Sequence, residues 1–155
     1  MKFSFLELRI PPVLVVAATA GLMWAIAWAF PSLNLAIPGR TPAAILAALT
    51  GLLITLAGVV EFRRARTTTN PLKPASATSL VAGGIYRMTR NPMYLGFALA
   101  LLGWGIFLSN PLSLAVLFLF VAYMNRFQIA LEEKALESLF GEEFAAYRSK
   151  VRRWL

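Results

Sequence analysis

The stretch NPMYLGFALALLGWGIFLSNPLSLAVLFLFVAYMN, Asn91 to Asn125, holds no charged residue across 35 positions. A helix crosses a bilayer core of about 30 Å with roughly 20 residues. At 1.5 Å per residue, one helix of this length would reach about 52 Å. Ser109-Asn110-Pro111 lies in its middle and is a strong turn signal. The stretch therefore reads as a helical hairpin, with spans over about 93–108 and 112–130.

Upstream lie two more charge-free runs, Ile10 to Gly39 with 30 residues and Thr41 to Val60 with 20. They supply spans over about 12–30 and 42–60, with Pro42 suited to a first helical turn. The composition agrees: 59% of the 155 residues are hydrophobic and 14% charged. A soluble domain is closer to a quarter charged, and so small a domain could not hide this much apolar surface. The expectation is an all-α integral membrane protein, with 1–155 as one membrane domain of four transmembrane helices. A cytoplasmic C-terminal amphipathic helix follows the fourth. The first run is longer than the apolar region of a signal peptide, and no small-x-small cleavage site leads into a soluble domain.

The net charge is +8, from 15 Lys and Arg against 7 acidic residues, all Glu. Between spans two and three lie Arg63, Arg64, Arg66, Lys73, Arg87 and Arg90, against Glu61 alone. The tail adds Lys134, Arg148, Lys150, Arg152 and Arg153, whereas the other side of the membrane holds only Arg40. The positive-inside rule then makes the termini and the long loop cytoplasmic, in a bacterial inner membrane. Topology and anionic headgroups account for the basic excess, so no nucleic-acid partner is expected. There is no Cys and no His, which excludes disulfides, thiol catalysis and the usual metal ligands, so no metal site is expected.

Thr67 to Pro74 reads as irregular loop, and Gly83-Gly84 allows a turn before span three. The tail reads as helix with a break at Gly141, then an amphipathic helix from Glu142 to Trp154 carrying Phe144, Tyr147, Val151 and Trp154 on one side. Gly103-Trp104-Gly105 in span three reads as a packing feature.

Two polar clusters remain. Tyr86, Arg87, Arg90, Asn91 and Tyr94 gather where span three begins, with Pro92 in the first turn and Asn91 as N-cap. A helix N-terminus there can hold a carboxylate or phosphate. An ordinary membrane boundary, with Arg for topology and Tyr for the aromatic belt, explains the same residues. At the end of span four, Asn125, Gln128 and Glu132 follow i, i+3, i+7, and Arg126 and Glu133 are also i, i+7 on an adjacent face. Ionisable groups near lipid are expensive unless they pair or face a cavity.

The ordered set Gly84-x-Tyr86-Arg87-x-x-Arg90-Asn91-Pro92-Met93-Tyr94-x-Gly96, Leu102-Gly103-Trp104, Glu132-Glu133, Phe140-Gly141-x-x-Phe144-x-x-Tyr147 and Val151-Arg152-Arg153-Trp154 resembles the isoprenylcysteine carboxyl methyltransferase family, which is related to the phospholipid N-methyltransferases. The likeness covers roughly residues 80–155. It implies an S-adenosylmethionine-dependent methyltransferase whose cofactor-binding part is that C-terminal half, with a cytoplasmic active site. A lipophilic small-molecule or lipid-linked acceptor enters from the membrane. Carried over by position, Tyr86, Arg90, Asn91, Pro92, Tyr94, Glu132 and Glu133 are the expected cofactor-binding residues, and Arg126 and Glu133 the expected catalytic ones. Asn91 stands where isoprenylcysteine enzymes carry His, while phospholipid N-methyltransferases can carry Asn-Pro-Met-Tyr. The alternative activity is therefore phospholipid N-methylation. From other classes, a small four-span transporter usually places an acidic residue within a span, which this chain does not, and a non-catalytic scaffold leaves the two clusters unexplained.

Overall fold

The structure, a computed structural model, describes residues 10–67 and 74–155. The loop expected over 67–74 falls mostly on positions outside the described residues. Helix α1 runs Pro12–Ala29, α2 Arg40–Arg64, α3 Pro92–Leu108 and α4 Pro111–Tyr123. Helix α4 continues through a π-helical turn, Met124–Ile129, into α5, Ala130–Lys150. Among the described residues there is no strand. α1, α2 and the continuous rod Pro111–Lys150 are long and apolar enough to cross a membrane. α3 is a shorter apolar helix of 17 residues, about 25 Å long. The chain is an all-α integral membrane protein.

Proline opens α1, α3 and α4, at positions where its missing N–H would have had no helical partner. The hairpin between α3 and α4 is made by its polar residues. Ser109 takes the left-handed conformation at φ 53°, and the Asn110 side chain accepts a hydrogen bond from the Ser113 N–H at 2.9 Å. The Asn110 amide also donates to Asn34 Oδ1 at 2.7 Å and the Phe30 carbonyl at 3.2 Å, tying the turn to the chain after α1.

α3 is central and packs on α1, α2 and α4. Its seam with α2 is a backbone contact: a Cβ on Gly96 would lie 2.0 Å from Thr55 Oγ1 and 2.4 Å from the Gly51 carbonyl oxygen. Helices in lipid associate by such close approach, because apolar side chains gain little by leaving lipid for each other. Gly103 makes a second close approach, to Ala44, which assigns that residue to packing as its sequence context implied. On the other side of α3, Met23, Leu101, Val116, Phe120, Met124 and Ile129 form the core together with Tyr94. Trp104 Nε1 donates to the Ala20 carbonyl at 3.1 Å and Ser113 Oγ to the Met23 carbonyl at 2.7 Å, locking α3 and α4 onto α1. Large apolar side chains such as Trp28, Leu46, Leu53 and Phe118 point outward, as a lipid-facing surface requires.

The hairpin returns the chain so that the end of α2, the start of α3 and the beginning of α5 share one end of the bundle, the basic end. The tail departs from the sequence expectation here. The break at Gly141 is present, at φ 48° and ψ −117°. The helix beyond it ends at Lys150 and not at Trp154, and Val151 is extended at φ −121° and ψ 132°. The cause is competition for backbone groups: the carbonyls of Val151, Arg152 and Arg153 all accept hydrogen bonds from Thr89, Arg90 or Asn91. The last five residues are therefore a strap laid across the start of α3.

Candidate functional site

The segment before α3 is shaped by glycine. Gly84 adopts φ 54°, which strains any other residue, and a Cβ there would fall 2.5 Å from the Glu61 carboxyl carbon, so a side chain would have to displace Glu61. The turn Gly84–Arg87 that follows buries Tyr86, whose ring meets Phe62 edge-on at 5.6 Å. The Tyr86 carbonyl accepts from Tyr147 Oη at 2.7 Å, which fixes the outer half of α5 against this turn. Burial raises the Tyr86 hydroxyl well above its ordinary pKa, with Tyr147 and Glu132 adding to the effect.

Arg90 comes next. Its backbone N–H donates to the Arg152 carbonyl at 3.0 Å. Its guanidinium donates to the carbonyls of Val151 and Arg148 and pairs with Glu133 Oε1 at 2.7 Å. Its Nε is buried and makes no hydrogen bond among the described residues. Asn91 occupies the N-cap position of α3, but its side chain does not cap the helix. The amide instead donates to the Arg153 carbonyl at 2.9 Å, beside Thr89 Oγ1 at 3.2 Å from the same oxygen. The capping role expected of Asn91 is thus replaced by strap binding, its side-chain amide being spent on the Arg153 carbonyl. Pro92 is buried in the first turn of α3.

One turn further, Tyr94 is buried beneath the strap, and its hydroxyl donates to Glu132 Oε1. Gln128 Nε2 donates to the same oxygen at 2.8 Å. Glu132 Oε2 makes no hydrogen bond among the described residues. Glu132 lies past the apolar part of the Pro111–Lys150 rod. Burial pushes its carboxyl up to about 7, against the lowering effect of the Tyr94 and Gln128 hydrogen bonds. Glu133 goes the other way. Burial alone would raise it, but hydrogen bonds from Arg153 and Arg90 outweigh burial and hold it below the usual carboxylate range. Arg153 binds Glu133 through Nε at 3.1 Å to Oε1 and through Nη2 to Oε2. Arg153 Nη1 and Trp154 Nε1 both reach Asn125 Oδ1, at 3.3 and 3.1 Å.

The structure thus brings Arg90, Asn91, Pro92, Tyr94, Glu132 and Glu133 to one end of the bundle, with Tyr86 behind them. Arg126 is not in this group. It is exposed, with its guanidinium 5.9 Å from the centre of the Phe127 ring. The π turn is the reason: an i→i+5 turn rotates each residue by less than the 100° of an α-helix, so Arg126 and Glu133 do not share a face. Arg153 enters the site without having been singled out for it. Its sequence signal was only its place in the closing Val151-Arg152-Arg153-Trp154 set.

A model of the phospholipid methyltransferase family matches residues 40–143. An uncharacterised protein of Haemophilus influenzae is 49% identical over 63 residues, which are 41% of this chain and 100% of that protein. The protein-S-isoprenylcysteine O-methyltransferase of Saccharomyces cerevisiae is 42% identical over 80 residues, 51% of this chain and 33% of the yeast protein. The mouse protein of the same name is 34% identical over 73 residues, 47% of this chain and 26% of the mouse protein. The match spans no more than about a third of the yeast and mouse proteins. No solved structure matches the chain.

Proposed function

Since the chain belongs to the phospholipid methyltransferase family, we propose that it is a membrane methyltransferase that uses S-adenosylmethionine and acts on a lipophilic or lipid-linked acceptor at the basic end of its bundle. The observation that carries this reading is the pairing of two networks there, Arg90–Glu133–Arg153 and Tyr94–Glu132–Gln128, at the mouth of an otherwise apolar helix bundle. Such an end meets water on one side and lipid on the other, as a polar donor and a lipid-like acceptor together require.

The residues suit this cofactor. Its amino-acid end carries a carboxylate and an ammonium. Arg90 has a buried Nε without a partner among the described residues, and the first turn of α3 receives no side-chain cap, so both can receive a carboxylate. The Glu132–Glu133 pair supplies acceptors for the ammonium or the ribose hydroxyls. Tyr86 and Tyr94 offer ring faces to adenine or to a sulfonium. When bound, the cofactor supplies an electrophilic methyl group; the chain's own part is to orient it, align the acceptor in line and exclude water. We assign Arg126, on the exposed flank of the π turn beside Tyr123 and Phe127, to the acceptor's side of the site.

The acceptor reading that leads is an isoprenylcysteine-like carboxylate, which is already ionised and needs no base. Phospholipid N-methylation is the second reading. It is favoured by Glu132, a carboxyl near neutrality able to take a proton from an amine. In both, the termini and the site face the cytoplasm of a bacterial inner-membrane protein, in keeping with the excess of Arg and Lys at that end.

Thermal unfolding of the detergent-purified protein with S-adenosylhomocysteine tests the reading. At a hundredfold excess over Kd, binding contributes about 2.7 kcal/mol, which corresponds to a rise of roughly 5–10 °C for a chain of this size. Absence of any shift at millimolar ligand would refute it.

A further inference from the structure

The two neighbouring glutamates occupy different electrostatic situations. Both oxygens of Glu133 are engaged, Oε1 by Arg90 and by Arg153 Nε, and Oε2 by Arg153 Nη2. Two guanidinium groups on one carboxylate leave it little capacity for another cation. Those same arginines hold the strap: Arg90 binds the carbonyls of Val151 and Arg152, and Arg153 is part of the strap itself. Glu132 meets no cation among the described residues. Its Oε1 accepts from two neutral donors, Tyr94 and Gln128, and these fix its plane while Oε2 remains unengaged.

We propose a division of labour between the pair: Arg153 is a positioning residue that, with Arg90, engages both oxygens of Glu133 and makes it the anchor of the C-terminal strap, leaving Glu132, through Oε2, as the carboxylate that receives a ligand's cationic amino group. This rests on the methyltransferase reading for the identity of the ligand, and not for the anchoring of the strap. Arg153 acts at a distance from the ligand. It keeps Glu133 from competing for the ammonium and keeps the strap over the first turn of α3, where Thr89 and Asn91 also hold it.

The experiment uses the full-length protein in detergent and two probes: S-adenosylhomocysteine and its analogue with hydrogen in place of the amino group. Titration calorimetry gives both dissociation constants for the parent and for the Glu132→Gln, Glu133→Gln, Arg153→Ala and Arg153→Lys variants. Glu132→Gln should weaken S-adenosylhomocysteine at least tenfold and leave the des-amino analogue within twofold. Glu133→Gln and Arg153→Ala should weaken both probes by a common factor, with partial recovery in Arg153→Lys. A second readout needs no ligand. Leu155 is 69% exposed, so a carboxypeptidase can start there. Trimming should be faster in Glu133→Gln and Arg153→Ala and unchanged in Glu132→Gln. Amino-selective loss in Glu133→Gln, or equal loss of both probes in Glu132→Gln, overturns the assignment of Glu132. Trimming at the parental rate in Arg153→Ala overturns the anchor. If the folded parent binds neither probe, the methyltransferase reading fails and the ligand role of Glu132 with it, while trimming still decides the anchor.

Discussion

Changing pH should switch the site through Glu132. Its carboxyl is raised from an ordinary 4.5 to about 7. The groups facing it are Tyr94 from α3, Tyr86 from the preceding turn, and Gln128 and Glu133 from its own rod. Burial keeps the Tyr86 hydroxyl neutral throughout, and Glu133 is held ionised by its two arginines. Among these groups, Glu132 is the one that titrates between pH 6 and 8. A cation is received by the ionised form, which at a pKa of about 7 falls from about nine-tenths at pH 8 to one-tenth at pH 6. The Kd for S-adenosylhomocysteine should therefore rise about tenfold over that interval, measured by calorimetry in detergent. The ligand-free protein should show the opposite slope. Between about 4.5 and 7 the folded state keeps a proton that the unfolded chain has released, so the Glu132 contribution to stability declines as pH rises. Ligand-free Tm drifts down through this term while the ligand-induced rise in Tm grows. A flat Kd profile, or one that persists unchanged in Glu132→Gln, would refute the reasoning.

Other consequences are as direct. Gly96→Ala forces α2 and α3 apart, since its Cβ would sit 2.0 Å from Thr55 Oγ1; overpacking of this kind costs about 1–3 kcal/mol, and the Tm in detergent should fall by roughly 2–12 °C. Removing residues 151–155 strips the donors of Thr89, Asn91 and Arg90 of their acceptors but leaves every apolar helix intact; the protein should still extract from membranes yet bind S-adenosylhomocysteine at least tenfold more weakly, and equal binding would rule out a lid role for the strap. Arg126→Ala should raise the KM for the acceptor and leave S-adenosylhomocysteine affinity unchanged, as measured by methylation kinetics beside calorimetry. Reporter fusions after residue 66 and at the C-terminus should both read cytoplasmic; a split result would defeat the four-span topology.

What the sequence revealed was local. Ser109-Asn110-Pro111 acts on its own turn through the αL residue and the Asn110 cap, so the hairpin could be located from those three residues. Gly141 likewise breaks its helix where it stands. The strap could not be read this way. Its carbonyls are claimed by residues about 60 positions earlier, and Val151 to Trp154 by themselves continue an amphipathic pattern. Helical periodicity also failed across Met124–Ile129, because nothing in that stretch announces a π turn and the i, i+7 relation presumes 3.6 residues per turn. Gln128 and Glu132 still meet, at i, i+4 and bridging the turn's end, whereas Arg126 and Glu133 part company.

That parting bears on how two unlike ligands can share one site. Had the rod stayed α-helical, Arg126 would have stood near the face of Glu133 and added a third arginine to a carboxylate that already carries two. The π turn instead turns Arg126 outward, beside Tyr123 and Phe127 whose rings lie 5.1 Å apart, while Asn125 stays with the strap and Gln128 with Glu132. One short segment thus sends consecutive polar residues to different surroundings: Asn125 to the strap, Arg126 to the exposed flank, Gln128 to the buried carboxylate. What the extra residue per turn changes is the angle between Arg126 and Glu133, and π turns are often found at functional sites. On the proposed function, that flank is where an acceptor's headgroup would be held as its chain remains in lipid, and the strap side is where a water-soluble donor would enter.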